Sequence, residues 1–243
     1  MQKHAAMLKY HPDARFLTDY AAGSLPASQA LCVATHLHYC PQCRLKTGEL
    51  TELGAELFMQ LEPARVDQSE YLRLLDRLKQ SPAAEATRMS SQPSSQLPMQ
   101  QKAGQSVSIL PKAVHKLAGG NLEQLNWRHI GKNFRIANIN VGDKQRETSL
   151  FCIKAGGHVP HHRHKGDEIT VILKGSFSDN EDKYGVGDFI VRTRGETHKP
   201  VASQDEDCLC ISTLDAPIVM SNWLLRFGLY LYNLHAARSL KPA

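Results

Sequence analysis

Large apolar residues recur every three or four positions through the first eighty residues, and then the period shortens to two in the second half of the chain. In HPDARFLTDYAAGSL, Pro12 stands at a first-turn position, Phe16, Leu17 and Tyr20 share one stripe, and Gly23 ends it. A second helix is expected from about Pro26, with Ser24 as its cap, through Ala30, Val33, Ala34 and Leu37. Pro41 opens a third, with Leu45, Leu50, Leu53, Leu57 and Met59 at helical intervals. A fourth, VDQSEYLRLLDRLKQ, carries Leu72, Leu75 and Leu78 beside Tyr71 and Leu74. After that come FRIANINVG, TSLFCIKA, EITVILKGSFS, GDFIVRT and CLCISTL, short β-branched or alternating runs separated by Gly, Asp, Asn and Pro. Their close spacing predicts an all-β sandwich or barrel.

Between the two patterns lies SPAAEATRMSSQPSSQLPMQQKAGQSV, residues 81–107, with almost no large apolar side chains. Such a segment buries too little surface to offset the entropy of ordering it and reads as a flexible linker. The expected organisation is therefore two-domain: a helical domain at 1–80, the linker at 81–107, a β-domain at 108–220, and an apolar, basic tail at 221–243 of undetermined role. No internal repeat joins the two parts.

Composition narrows the function classes. With 42% apolar and 22% charged residues the chain reads as globular. No run approaches the 18–20 or so apolar residues of a membrane helix, and MQKHAAMLKY lacks the apolar core of a secretory signal. The expectation is a cytoplasmic protein with no membrane partner. The net charge of +5 is spread out rather than gathered into the dense basic stripe that DNA binding uses, so no direct nucleic-acid contact is expected. Six cysteines in such a chain point to metal or redox chemistry before disulfides. Four of the twelve histidines fall between His158 and His164.

The first chemical constellation is HLHYCPQC. His36 and Cys40 are i and i+4 and share a helix face; Cys43 follows where Pro41 starts the next helix. A helix N-terminus favours a thiolate there, and thiolates with imidazole at this spacing suit tetrahedral zinc. The fourth ligand is open among His4, His11, His38 and Cys32. His38 lies about 200° round the helix from His36; Cys32 is one turn before His36 on the right face; His11 leads a helix that must pack on the others. A redox Cys-x-x-Cys pair and a plain core of small cysteines are the competing readings.

HPDARFLTDYAAGSLP…HLHYCPQC resembles the zinc-binding anti-sigma domain of the ChrR-type anti-sigma factors. That family's leading His followed by His-x3-Cys-x2-Cys falls on His11, His36, Cys40 and Cys43. The resemblance implies a small helical bundle, organised by a structural zinc, that keeps an extracytoplasmic-function sigma factor from RNA polymerase. Tyr71, Leu72, Leu75 and Leu78 would help grip that partner; burial within their own domain is the plainer alternative.

The second constellation is GGHVPHHRHKGDEITVILKG. His162 and His164 are i and i+2, so on a strand both point to one face; Glu168 returns after a Lys-Gly-Asp turn, and His198 comes later in Thr193-x-Gly195-x-x-His198. Three imidazoles and a carboxylate make a site for a first-row divalent metal, with His158 and His161 facing solvent. This resembles the two-part cupin signature, departing from it at Thr193 and Ala202. The resemblance implies a cupin β-barrel of jelly-roll type. Alone it would allow a dioxygenase or isomerase with iron, manganese or nickel. Joined to the first domain, it implies two zinc ions per chain and a barrel that senses singlet oxygen or an organic peroxide and triggers release of sigma. A metal-dependent cupin enzyme with a helical docking module is the alternative function. Cys208 and Cys210, which also match a family feature, share a strand face; a disulfide between them would be strained, which favours sulfenic or metal-linked oxidation over a disulfide, with small buried hydrophobes as the alternative. Cys152 reads as core. The sequence sets no oligomeric state.

Overall fold

The computed structural model describes residues 8–64, 67–80 and 110–220. The expected linker at 81–107 and tail at 221–243, and His4, lie outside the described residues. Helices α1 (Ala14–Ala21), α2 (Ala27–Tyr39), α3 (Pro41–Met59) and α4 (Gln68–Lys79) fall where the apolar stripes place them. Asp13 caps α1 by accepting from the Phe16 N–H, and Asp67 caps α4 through the Ser69 N–H. Ser24 is not the cap of α2. Its hydroxyl instead donates to the Asp19 carbonyl at the end of α1, and Pro26 holds the N-cap position without a side-chain bond.

The chain forms two compact units, one of Met1–Ala55 with Ser108–Ala243 and one of Glu56–Val107. In the first, a short helix α5 (Lys112–Leu117) and a 3-10 turn (Leu122–Gln124) precede the strands; neither stood out in the sequence. Strands β1 (Arg128–His129), β2 (Phe134–Asn138), β3 (Glu147–Ile153), β11 (Cys208–Leu214), β5 (Glu168–Lys174) and β8 (Phe189–Arg192) form a six-stranded antiparallel sheet in that order. Two three-stranded sheets complete the β-domain. One is β10 (Val201–Ala202), β6 (Phe177–Ser178) and β7 (Lys183–Tyr184); the other is β12 (Val219–Met220), β4 (His162–Arg163) and β9 (Thr197–His198). These two-residue strands are too short to leave an alternation in the sequence.

Both faces of the large sheet are buried. Phe134, Ile153, Ile172, Ile190, Cys208 and Cys210 turn inward onto Phe177, Tyr184 and Ala202. Leu150, Ile169, Val171, Leu173, Leu209 and Ile211 turn outward and join one core with Leu17, Leu31, Val33 and Leu37 of α1 and α2. Adjacent residues of β5 and β11 thus serve different cores, as period-two geometry requires. The β-domain also gives α1 and α2 specific anchors, from Asp143 in the β2–β3 loop and from Phe189 of β8. Ser28 Oγ donates to Asp143 Oδ2 at 2.6 Å, and the Phe189 ring sits 5.4 Å from Phe16 and 6.0 Å from His36.

Candidate metal centres

The first cluster sits where α2 ends and α3 begins. Cys40 is the C-cap of α2 and breaks from helical geometry at ψ 102°, letting Pro41 start α3 and turn Cys43 back toward it. The ligand atoms of His11, His36, Cys40 and Cys43 all lie within 4.8 Å of one another. His11 Nδ1 is 3.4 Å from each sulfur. Its Nε2 faces the Leu8 carbonyl at 3.0 Å, which accepts and so leaves Nδ1 with its lone pair toward the thiols. His36 is fully buried. Its Nδ1 donates to the Gly187 carbonyl at 2.6 Å, while Nε2 is buried with no hydrogen-bond partner. An orphaned imidazole lone pair beside two thiols is a costly arrangement for bare protein and the expected one for a metal ligand held by an outer hydrogen bond.

Of the residues left open for the fourth position, Cys32 is fully buried in the shared apolar core, where burial pushes its thiol up to about 12, and His38 is exposed. Cys43 stands in the first turn of α3, as the spacing placed it. Burial first, then the neighbouring Cys40, pushes its thiol up to about 12. A cation held by these groups would stabilise the Cys43 thiolate against that burial. Burial also lowers His36 to about 4, against the opposing pull of the Gly187 carbonyl.

The second cluster lies inside the barrel. β4 pairs His162 directly with His198 of β9, and His164 and Glu168 follow at the turn into β5. His198 Nε2 is 2.9 Å from His162 Nε2 and 3.1 Å from His164 Nε2. His162 Nδ1 donates to the Pro160 carbonyl at 2.9 Å, and His198 Nδ1 lies 3.0 Å from Asp179 Oδ2. With those nitrogens committed as donors, two Nε2 lone pairs face each other, which suits a cation between them. Glu168 Oε1 accepts from Ser212 at 2.7 Å and Thr170 at 2.9 Å. Burial would raise Glu168, but His164, the Ser212 hydrogen bond and the other two histidines hold it below the usual carboxylate range. Burial lowers His162 to about 4. His158 and His161 are exposed and stand outside the group.

A cavity of about 200 Å³ opens onto this cluster, walled mainly by apolar side chains such as Phe134, Phe151, Phe177 and Ile190. Cys210 lines it; Cys208 is buried in the same inward core. Cys208 and burial raise the Cys210 thiol well above its ordinary value, so it sits as a neutral thiol. Asp179, buried between His198 and Arg192 at 3.0 and 2.8 Å, carried no signal in the sequence, where it is one acid of the turn SDNEDK. A buried Arg192 that satisfies a buried acid is visible only once both are placed.

On α4, Tyr71, Leu72, Leu74 and Leu78 are each more than half exposed and Leu75 is half-buried. None of the residues of this helix is buried. No helix among the described residues is long and apolar enough to cross a membrane.

Residues 115–216 match the family of ChrR cupin-like domains. The chain is 31% identical over 220 residues to the anti-sigma-E factor ChrR of Cereibacter sphaeroides, covering 89% of this chain and 94% of that protein. Among solved structures, that of Rhodobacter sphaeroides SigE in complex with the anti-sigma ChrR aligns at 29% identity and a TM-score of 0.67, over 86% of this chain and all of the aligned one. Helices and barrel are thus both covered.

Proposed function

The chain belongs to the ChrR family of anti-sigma factors, and from that premise we propose that it sequesters an extracytoplasmic-function sigma factor and is a regulator, not an enzyme. The observation that carries this reading is similarity running through both parts of the chain to a protein whose solved relative is bound to SigE. It is supported by the cluster of His11, His36, Cys40 and Cys43, whose donor set suits a structural zinc with four protein ligands and no open position. Residues 1–80 carry the anti-sigma role, with Tyr71, Leu72, Leu75 and Leu78 as part of the grip; their exposure on an amphipathic helix supports docking over burial in their own fold. A partner that works with RNA polymerase places the protein in the cytoplasm.

The barrel, residues 108–220, is the sensing part in this reading. His162, His164, Glu168 and His198 hold a second divalent ion, zinc by family resemblance, with iron, manganese or nickel compatible with the same donors. The signal is oxidative, singlet oxygen or an organic peroxide. Zinc is redox-inert, so oxidation would act on the ligands or on Cys208 and Cys210. A continuous connection supports transmission: His198 bonds Asp179, Asp179 holds Arg192, and Arg192 ends β8, whose first residue follows the Gly187–Asp188 pair that touches His36 and the segment before His11.

Co-expression of the full chain with a cognate extracytoplasmic-function sigma factor tests the proposal. A stable complex that dissolves when Cys40 or Cys43 is replaced by serine is expected. A sigma factor that stays free beside metal-loaded protein would overturn it.

A further inference from the structure

We infer that the barrel's turn Gly185–Phe189 is a positioning element of the helical metal centre, setting both of its histidines and thereby how tightly it keeps its ion. The inference rests on the reading that His11, His36, Cys40 and Cys43 hold a divalent metal. His36 is set by the Gly187 carbonyl, which takes the Nδ1 proton at 2.6 Å, fixes the tautomer and aims Nε2 at the thiols. The approach requires glycine at 187. Its φ is +90°, and a Cβ there would lie 2.7 Å from Tyr39 Cβ. His11 is set through the segment before it. Asp188 Oδ1 accepts from the Lys9 and Tyr10 N–H groups at 3.1 and 3.2 Å, and the Phe189 N–H donates to the Tyr10 carbonyl at 3.1 Å. Asp188 Oδ2 accepts from the Gly185 N–H at 2.8 Å, so one carboxylate both closes the turn and pins the segment that delivers His11. Tyr10 and Lys9 add side-chain bonds to Asp182.

The barrel turn thus bears on two of the four ligands: it bonds the His36 ring directly and holds the backbone that leads into His11. Neighbours that orient metal ligands typically change affinity 10–100-fold when removed, which sets the expected size of the effect.

The test uses the full chain loaded with Co(II), whose thiolate charge-transfer band reports the helical centre and not the histidine–carboxylate one. Asp188→Ala should shift the ligand-field bands of the thiolate site and speed ion loss to excess chelator by about 10-fold or more. Asp188→Asn, which keeps one acceptor oxygen, should fall between. Ser28→Ala, which removes the Ser28–Asp143 anchor of α2 without touching either histidine, should leave both readouts unchanged. If Asp188→Ala does not fold by circular dichroism, Asp188→Asn decides: loss faster than about twofold supports the inference, and loss within that margin overturns it. Unchanged spectra and release in the Asp188 variants, or equal acceleration by Ser28→Ala, overturns it as well. A wild-type chain with no thiolate–cobalt band sinks instead the reading that the cluster holds a metal.

Discussion

Replacing Phe189 with alanine should destabilise the helices and the barrel together. Phe189 begins β8, is buried, and stacks edge-on against Phe16 of α1 and His36 of α2 while sharing the core of Leu17, Leu31, Val171 and Ile211. Its backbone N–H bond to Tyr10 survives the substitution. Truncating a buried phenylalanine costs about 3–5 kcal/mol once the cavity is included. The two ring pairs account for about half of that, at about 0.5–1.5 kcal/mol each. With a urea m-value near 3 kcal/mol/M, the midpoint should fall by about 1–2 M. The assay follows urea unfolding of the full chain by two probes, the thiolate–cobalt band for the helical centre and tryptophan fluorescence for the barrel, where Trp127 packs against Arg135. Both transitions should move together, and Phe189→Leu should recover most of the loss. A fall below about 0.3 M, or a shift in one probe alone, would refute the claim that α1, α2 and the sheet share one core.

Other expectations follow from the same geometry. Cys40→Ser or Cys43→Ser should lower the metal bound per chain by one ion and abolish sigma binding, read by metal analysis and co-purification, because structural zinc affinity is folding free energy. His162→Ala, Glu168→Gln or His198→Ala should remove the barrel ion yet leave sigma binding within about twofold, blunting only the stress response of a reporter; equal release by both sets of variants would contradict the division of labour. Leu72→Glu or Leu78→Glu should weaken sigma binding about 10-fold or more, ~1.4 kcal/mol, while moving stability by under about 0.5 kcal/mol because both side chains are exposed. In metal-stripped protein, His36 and His162 sit at about 4 when folded against 6.5 when exposed, burial being the first cause for each. Between those values the unfolded chain binds protons that the folded one does not, so stability should fall as pH drops from 6.5 toward 4. Denaturant midpoints that are flat over this range would show that the two imidazoles are not held neutral.

The sequence by itself determined the elements and the ligand types. Helical spacing located α1 to α4, and His-x3-Cys-x2-Cys with His-x-His-x3-Glu named the donors, because ligands a turn apart on a helix or two apart on a strand converge through local geometry alone. Spacing left the fourth ligand open among His4, His11, His38 and Cys32, with the family resemblance favouring His11; packing sends Cys32 into the core and brings His11 to both sulfurs. It also misplaced the cap at Ser24, since hydrogen-bond competition depends on neighbours that spacing alone does not show. One signal was present and went unread: EITVILK and CLCISTL are apolar at consecutive positions, as strands covered on both faces are. What covers their outer face is α1 and α2, and that contact brings Gly187 to His36 across 151 positions. Such a pairing has no local signature, so the contact between the barrel turn and His36 is a decision of the tertiary structure alone.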